Sequence, residues 1–338
     1  MKYQTWIKFL QAAFAAGVLL AVAPQAQAQT SQWRLASKMP AGGIEGRGFQ
    51  TFADLVNKYT GGKLSVRIYP SEQLGKEDAT LEQLSAGTIH IYAEGPDYLH
   101  KWAPELEWVF APFMFDNRAH WVRFMHSDLV KGWLDRVEKD AGITVVHDIT
   151  GFPRGPYRVL STKRPVKTLA DLKGLKLRMF QNQVAIDAWI ALGAEVRVLA
   201  FTEVYEAIKT GVVESVTEPI SITEDLKFYE VAPHVVRTDE FNQSVAFMVN
   251  AKAYKGLAPD LRKAVDQAFV EAAKIQDEAL NTMVSASLKR METKGGTYTE
   301  PDTTQWVNTV QALYKKMEAE NKLPKGLLEA VAATRTKN

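Results

Sequence analysis

The sequence predicts an α/β fold in two lobes, with a central cleft between them and one long helix bridging both. Three observations lead there. Beyond an apolar leader, the 338-residue chain exceeds what one hydrophobic core usually supports. Strand and helix patterns alternate through the first half and restart near Gly151. The segment from Pro259 to Lys294 has no Gly or Pro after its first residue and keeps helical apolar spacing throughout.

The elements follow in order. Lys2 and Lys8 precede an apolar run, Phe9 to Ala23, broken only by Gln11, and Ala26-Gln27-Ala28 is a small-x-small site. Residues 1–28 therefore read as a secretory signal peptide cleaved after Ala28, the alternative being an uncleaved anchor. No later stretch approaches the roughly 20 apolar residues of a membrane span. Trp33 to Ser37 reads as a strand, Pro40 to Gly48 as a Gly-rich loop, Phe49 to Tyr59 as a helix and Leu64 to Tyr69 as a second strand, a βαβ unit. A helix near Asp78 to Ser85, a strand Ile89 to Ala93, a helix near His120 to Lys139 and a strand Ile143 to Ile149 complete the first lobe. The second opens with strand Tyr157 to Ser161 and a capping box, Thr168-x-x-Asp171. Strand Leu175 to Met179, helix Val184 to Leu192, strand Glu195 to Leu199, helix Glu203 to Thr210 and strand Glu214 to Thr217 follow. At about 1.5 Å per residue, the helix from Pro259 spans about 50 Å, long enough to lie across both lobes.

Composition excludes several functions. Lys and Arg total 41 against 39 Asp and Glu, with no block of one sign, so there is no basic face for nucleic acid. Cysteine is absent, which removes disulfides, thiolate metal sites and cysteine nucleophiles together. Gly42 to Gly48 lacks both the Lys-Ser/Thr ending of a phosphate loop and the GxGxxG order. The six histidines show no ligand spacing, so no metal site is expected, and no GxSxG elbow exposes a nucleophile. A secreted α/β enzyme, the competing class, would need such groups. The aromatic stretch holding Trp102, Trp108, Trp121 and Phe110 to Phe115 reads as packing.

Arg178 ends an apolar strand, which places a guanidinium at a strand terminus facing the cleft. Its planar fork matches a carboxylate. On periodicity alone, a surface salt bridge fits as well.

The run around it, Asp171-Leu-Lys-Gly-Leu-Lys-Leu-Arg178, resembles the signature of the solute-binding proteins of tripartite ATP-independent periplasmic (TRAP) transporters, of the C4-dicarboxylate-binding type. Ala191-Leu-Gly-Ala194, Phe201-Thr-Glu-Val-Tyr-Glu-Ala207, Gly211-Val-Val-Glu214 and Glu218-Pro219 are similar too, as are Tyr69-Pro-Ser-Glu-Gln-Leu-Gly75, Pro112-Phe-Met-Phe115 and Lys227-Phe-Tyr-Glu-Val231. The resemblance covers nearly the whole chain beyond the leader. It implies a periplasmic-binding-protein-like fold that closes on its ligand by hinge bending, with residues 29–150 plus about 244–283 in one domain and 151–243 plus about 284–338 in the other. It implies a periplasmic receptor, most simply a monomer and not an enzyme, that delivers a small organic acid to the small and large TRAP membrane subunits. Arg178 would pair with the carboxylate and Arg158 would be a second ligand-facing arginine. Lys38, Glu77, Glu94 and Tyr98 would shape specificity from the first lobe, and Phe201 and Gln181 would line the pocket from the second.

One position departs from the pattern: members commonly carry Asn before the proline where this chain has Glu218. An ionised Glu beside Arg178 would repel an acid. The expectation is that Glu218 meets an amino group or hydroxyl of the ligand, shares a bound cation with it, or sits protonated or turned away. No other cofactor is expected. A zwitterionic or sulfonate solute is the alternative to a plain acid.

Overall fold

Trp33 and Leu35 are buried while Arg34 between them is exposed, and this period of two forms β1 (Ser31–Ala36) at the start of the region that the computed structural model describes, residues 31–336. The signal peptide and its cleavage site lie outside the described residues. From β1 the chain crosses by α1 (Ile44–Tyr59) to β2 (Leu64–Tyr69), parallel to β1 with Leu35 opposite Ile68. It then returns by α2 (Glu77–Ser85) to β3 (Ile91–Glu94) on the other side of β1. Helices α3 (Arg118–Met125) and α4 (Asp128–Ala141) lead to β4 (Ile143–Val145), and the two-residue β5 (Phe152–Pro153) follows.

The second sheet begins with β6 (Arg158–Thr162) and β7 (Lys176–Met179). Next come α5 (Gln183–Ala191), β8 (Glu195–Val198), α6 (Val204–Lys209), β9 (Ser215–Pro219), α7 (Ile220–Asp225) and β10 (His234–Arg237). The chain goes back to the first sheet as β11 (Ser244–Asn250), runs through α8 (Ala251–Lys255) and α9 (Pro259–Thr293), and gives β12 (Thr297–Thr299) to the second. Helices α10 (Thr304–Ala319) and α11 (Leu327–Thr334) finish it, α10 against α5 and α11 against α3. The sheets have the orders β2-β1-β3-β11-β4, with β5 on β11, and β12-β10-β6-β9-β7-β8.

Phe247 of β11 shows how the first core is held. It meets Phe49 and Phe52 of α1 on one side and Phe269 of α9 on another, with ring centroids 5.6, 4.9 and 5.2 Å away, mostly edge to face. The long helix has the predicted length and touches both lobes. Near its middle it packs on α1, and towards its end Arg290 and Ser287 grip Glu224 of α7.

Three expectations change. The Gly-rich stretch is not all loop, because α1 already starts at Ile44. A side chain on Gly48 would come within 2.6 Å of Gln276 and 2.9 Å of Phe152, so this glycine is there to let α1 approach α9 and β5 closely. The helix expected over His120 to Lys139 is two, split at His126, because Ser127 accepts a hydrogen bond from the Val130 amide and caps a new start. The strand expected over Ile143 to Ile149 ends at Val145, and His147 takes a positive φ of 53° beyond it. The aromatic stretch is packing: Trp108, Phe110 and Trp121 are buried in the core. Among the described residues, no helix is long and apolar enough to cross a membrane.

A candidate anion-binding cleft between the lobes

The strand ends of the two sheets face each other across a small cavity. From the first lobe it is lined by Lys38 just beyond β1, Glu94 at the end of β3, and Asp97 and Tyr98 in the short 3-10 turn that follows. Arg154 comes from the crossover after β5, Arg158 from the start of β6, Arg178 and Phe180 from the end of β7, Phe201 from the turn before α6, and Thr217 and Glu218 from β9. Gln243 precedes β11. Most sit where a strand ends and the rest where one begins, the usual place for a ligand crevice in open α/β sheets.

Three of the four cations here are already partnered. Lys38 Nζ lies 2.9 Å from the Tyr98 hydroxyl, 3.2 Å from Glu77 and 3.4 Å from Glu94. Arg154 makes a two-pronged pair with Glu45, both contacts at 2.9 Å, and also reaches Glu94. Burial works to raise the Glu94 carboxyl, but Arg154, Lys38 and the Gly95 amide outweigh it and lower it to about 2. Arg158 gives Nε to Glu240 at 2.8 Å, Nη1 to Gln243 at 2.7 Å and Nη2 to Thr217 at 2.9 Å, and its guanidinium lies over the Phe241 ring.

Arg178 is different. It is 3% exposed, and among the described residues no carboxylate lies within ion-pair distance of it. Nε and Nη2 donate to the Leu199 carbonyl at 3.0 and 2.8 Å, and the guanidinium sits 5.1 Å from the Phe201 ring centre. Burial lowers its pKa from the usual arginine value. What remains, on Nη1 and the second hydrogen of Nη2, is a set of charged donors turned to the cavity without an anionic partner.

Of the residues expected in the site, Arg178, Arg158, Glu218, Phe201, Lys38, Glu94 and Tyr98 line this one cavity. Glu77 stands behind the wall and acts through its hydrogen bond to Lys38. Gln181 does not join them. β7 ends at Met179, Phe180 takes the cavity side, and Gln181 is left exposed in a neighbouring depression beside Glu77. Asp97, Arg154, Phe180, Thr217 and Gln243 were not anticipated individually, nor were the buried partners Glu45 and Glu240. Burial raises the Asp97 carboxyl to about 7 against the pull of His100, and only Asn182, 3.4 Å away, donates to it. Among the described residues, no group of three or more His, Asp or Glu side chains is placed to hold a metal ion. The lobes also touch outside the cavity through the Lys76–Glu203 ion pair, Thr202 to Glu72 at 2.6 Å, and the Ile44 amide to Asp225 at 2.6 Å.

Two α/β lobes closing strand ends and a bare guanidinium around a small cavity define a receptor for small anionic solutes. The chain belongs to the bacterial extracellular solute-binding protein family 7, whose profile matches residues 35–321. It is 29% identical over 257 residues to the C4-dicarboxylate-binding periplasmic protein DctP of Rhodobacter capsulatus, 75% of each chain. It is 31% identical over 222 residues to a solute-binding protein of Sulfitobacter, covering 65% of this chain and 66% of that one. In fold it is similar to a TRAP periplasmic solute-binding protein of Roseobacter denitrificans solved with L-galactonate (TM-score 0.78, 23% identity, 90% of this chain and 99% of that one). A second protein from that organism, solved with β-D-glucuronate, gives a TM-score of 0.80 at 24% identity, covering 90% of this chain and all of that one.

Proposed function

We propose that this protein captures a small organic acid in the cavity between its lobes, with the carboxylate held by Arg178, and delivers it in the periplasm to the small and large membrane subunits of a TRAP transporter. The single observation that carries the ligand class is the absence of any carboxylate partner for Arg178 among the described residues, in a cavity whose other cations are paired. A buried cation left unpaired is costly, and an acid that completes the pair recovers that cost on binding. The relatives solved with L-galactonate and β-D-glucuronate support an acid of monosaccharide size. Contacts from both lobes to one solute favour the closed arrangement, and the closed monomer is the form offered to the membrane subunits.

A thermal-shift screen over sugar acids, hydroxy acids, dicarboxylates, amino acids and sulfonates tests this reading, since a solute that binds only the folded state raises the melting temperature. Micromolar affinity corresponds to about 8 kcal/mol, so losing one buried charge partner removes a large share of it. Arg178→Ala should weaken binding of the best acid by about a hundredfold or more in calorimetry. Near-wild-type affinity in that variant would overturn the assignment.

A further inference from the structure

Glu218 is 1% exposed at the end of β9. Its Oε1 accepts two hydrogen bonds from hydroxyls, Ser161 Oγ at 2.5 Å and Thr223 Oγ1 at 2.9 Å. Its Oε2 is buried and has no partner among the described residues. The charged groups facing it from each neighbouring element are accounted for. Arg158 on β6 gives its donors to Glu240, Gln243 and Thr217, and Arg178 on β7 gives two of its own to Leu199. Across the cavity Lys38 and Arg154 are held by Glu77, Glu94 and Glu45, and Asp97 is a further carboxyl. On α7, Glu224 is gripped by Arg290, and Asp225 accepts from the Ile44 amide. Among the described residues, then, no cation lies within ion-pair distance of Glu218.

An ionised carboxylate so placed would be buried without a counter-charge and would repel the acid that Arg178 attracts. With Ser161 and Thr223 donating to Oε1, a proton on this carboxyl belongs on Oε2, where no acceptor lies among the described residues. We propose that Glu218 is a neutral carboxylic acid whose Oε2–H donates a hydrogen bond to an oxygen of the bound acid, so that the cleft selects hydroxy or keto acids over amino acids that bring an ammonium group to this point. The proposal rests on the carboxylate reading of the cleft given above. Burial, opposed by Ser161, Thr223 and Arg158, raises Glu218 to about 8, which keeps it about nine-tenths protonated at neutral pH.

Infrared difference spectra of the ligand-free protein, wild type minus Glu218→Gln, from about pH 6 to about pH 9.5 test the protonation directly. A protonated-carboxyl band that is present at the acidic end, fades with a midpoint near about pH 8 and is missing from the variant is the expected result. A carboxylate already ionised at the acidic end overturns the proposal. If the variant does not fold, carbon NMR of wild type labelled at glutamate carboxyls decides the same point, and a spectrum in which every glutamate carboxyl is already ionised at about pH 6 overturns it. A thermal-shift series of matched pairs, lactate with alanine and malate with aspartate, together with galactonate, then tests the donor role. Larger shifts with the hydroxy acids support it, whereas larger shifts with the amino acids, or binding that requires added sodium ion, overturn it. No shift with any of these acids counts against the carboxylate reading itself, a failure the infrared result distinguishes from the wrong protonation of Glu218.

Discussion

The two walls of the cleft carry charge in opposite ways. On the first-lobe side, Lys38 and Arg154 are enclosed by Glu45, Glu77 and Glu94, a network in which every cation has an anion. On the second-lobe side, Arg158 is paired with Glu240, but Arg178 rests on a backbone carbonyl and Glu218 on two hydroxyls. The first wall is complete without a solute; the second is completed by one. A buried, self-compensated network contributes rigidity and shape, whereas an uncompensated guanidinium contributes affinity at some expense of stability.

Variants on the two walls should therefore separate stability from binding. The largest effect is expected for Arg154→Ala, which strands Glu45 and part of Glu94: denaturant unfolding should show a loss of about 3–5 kcal/mol. Arg178→Ala, despite its drop in affinity, should leave unfolding of the ligand-free protein within about 1 kcal/mol of wild type, because it strands no carboxylate. If both variants destabilise equally, the contrast between the walls is wrong. Next comes Asp97. A carboxyl raised by burial contributes stability that is fully present below its unfolded pKa near about 4 and is lost as pH rises through about 7. This carboxyl should thus cost wild type up to about 1.4 kcal/mol per pH unit across that window, and melting curves of Asp97→Asn should fall less steeply by that share, the slope due to Glu218 remaining. The smallest effect is expected for Lys76→Ala, outside the cavity. Both partners of its pair with Glu203 are exposed, so calorimetry should show a slight loss of affinity that vanishes in high salt.

Legibility in the sequence follows from how local each signal is. Arg178 stood out because it lies near the end of the alternating strand Leu175-Lys-Leu-Arg-Met179, where a guanidinium can reach the cleft, and the motif around it carried the family. The first βαβ unit and α9 were readable from period and length. Arg154, Glu45 and Glu94 were hard to read as a cluster, because their bonds join positions 109 and 60 residues apart and nothing local announces them. A buried acid inside a Gly-rich stretch, Glu45, was the available hint. Strand β11 went unassigned because Ser244-Val-Ala-Phe-Met-Val-Asn250 is buried on both faces, which erases the alternation that marks a half-exposed strand. Glu218 was flagged by its departure from a motif, but its lone oxygen became visible only once Ser161, 57 residues away, was seen to occupy the other.

The position of β11 between β3 and β4 also sets a timetable. As the chain leaves the ribosome, β3 and β4 lack their shared neighbour, since the segment that joins them lies about a hundred residues beyond Val145 and cannot pair until it has emerged. The first sheet thus stays open between β3 and β4 until β11 has emerged, and a polypeptide in that condition is one that can still be threaded.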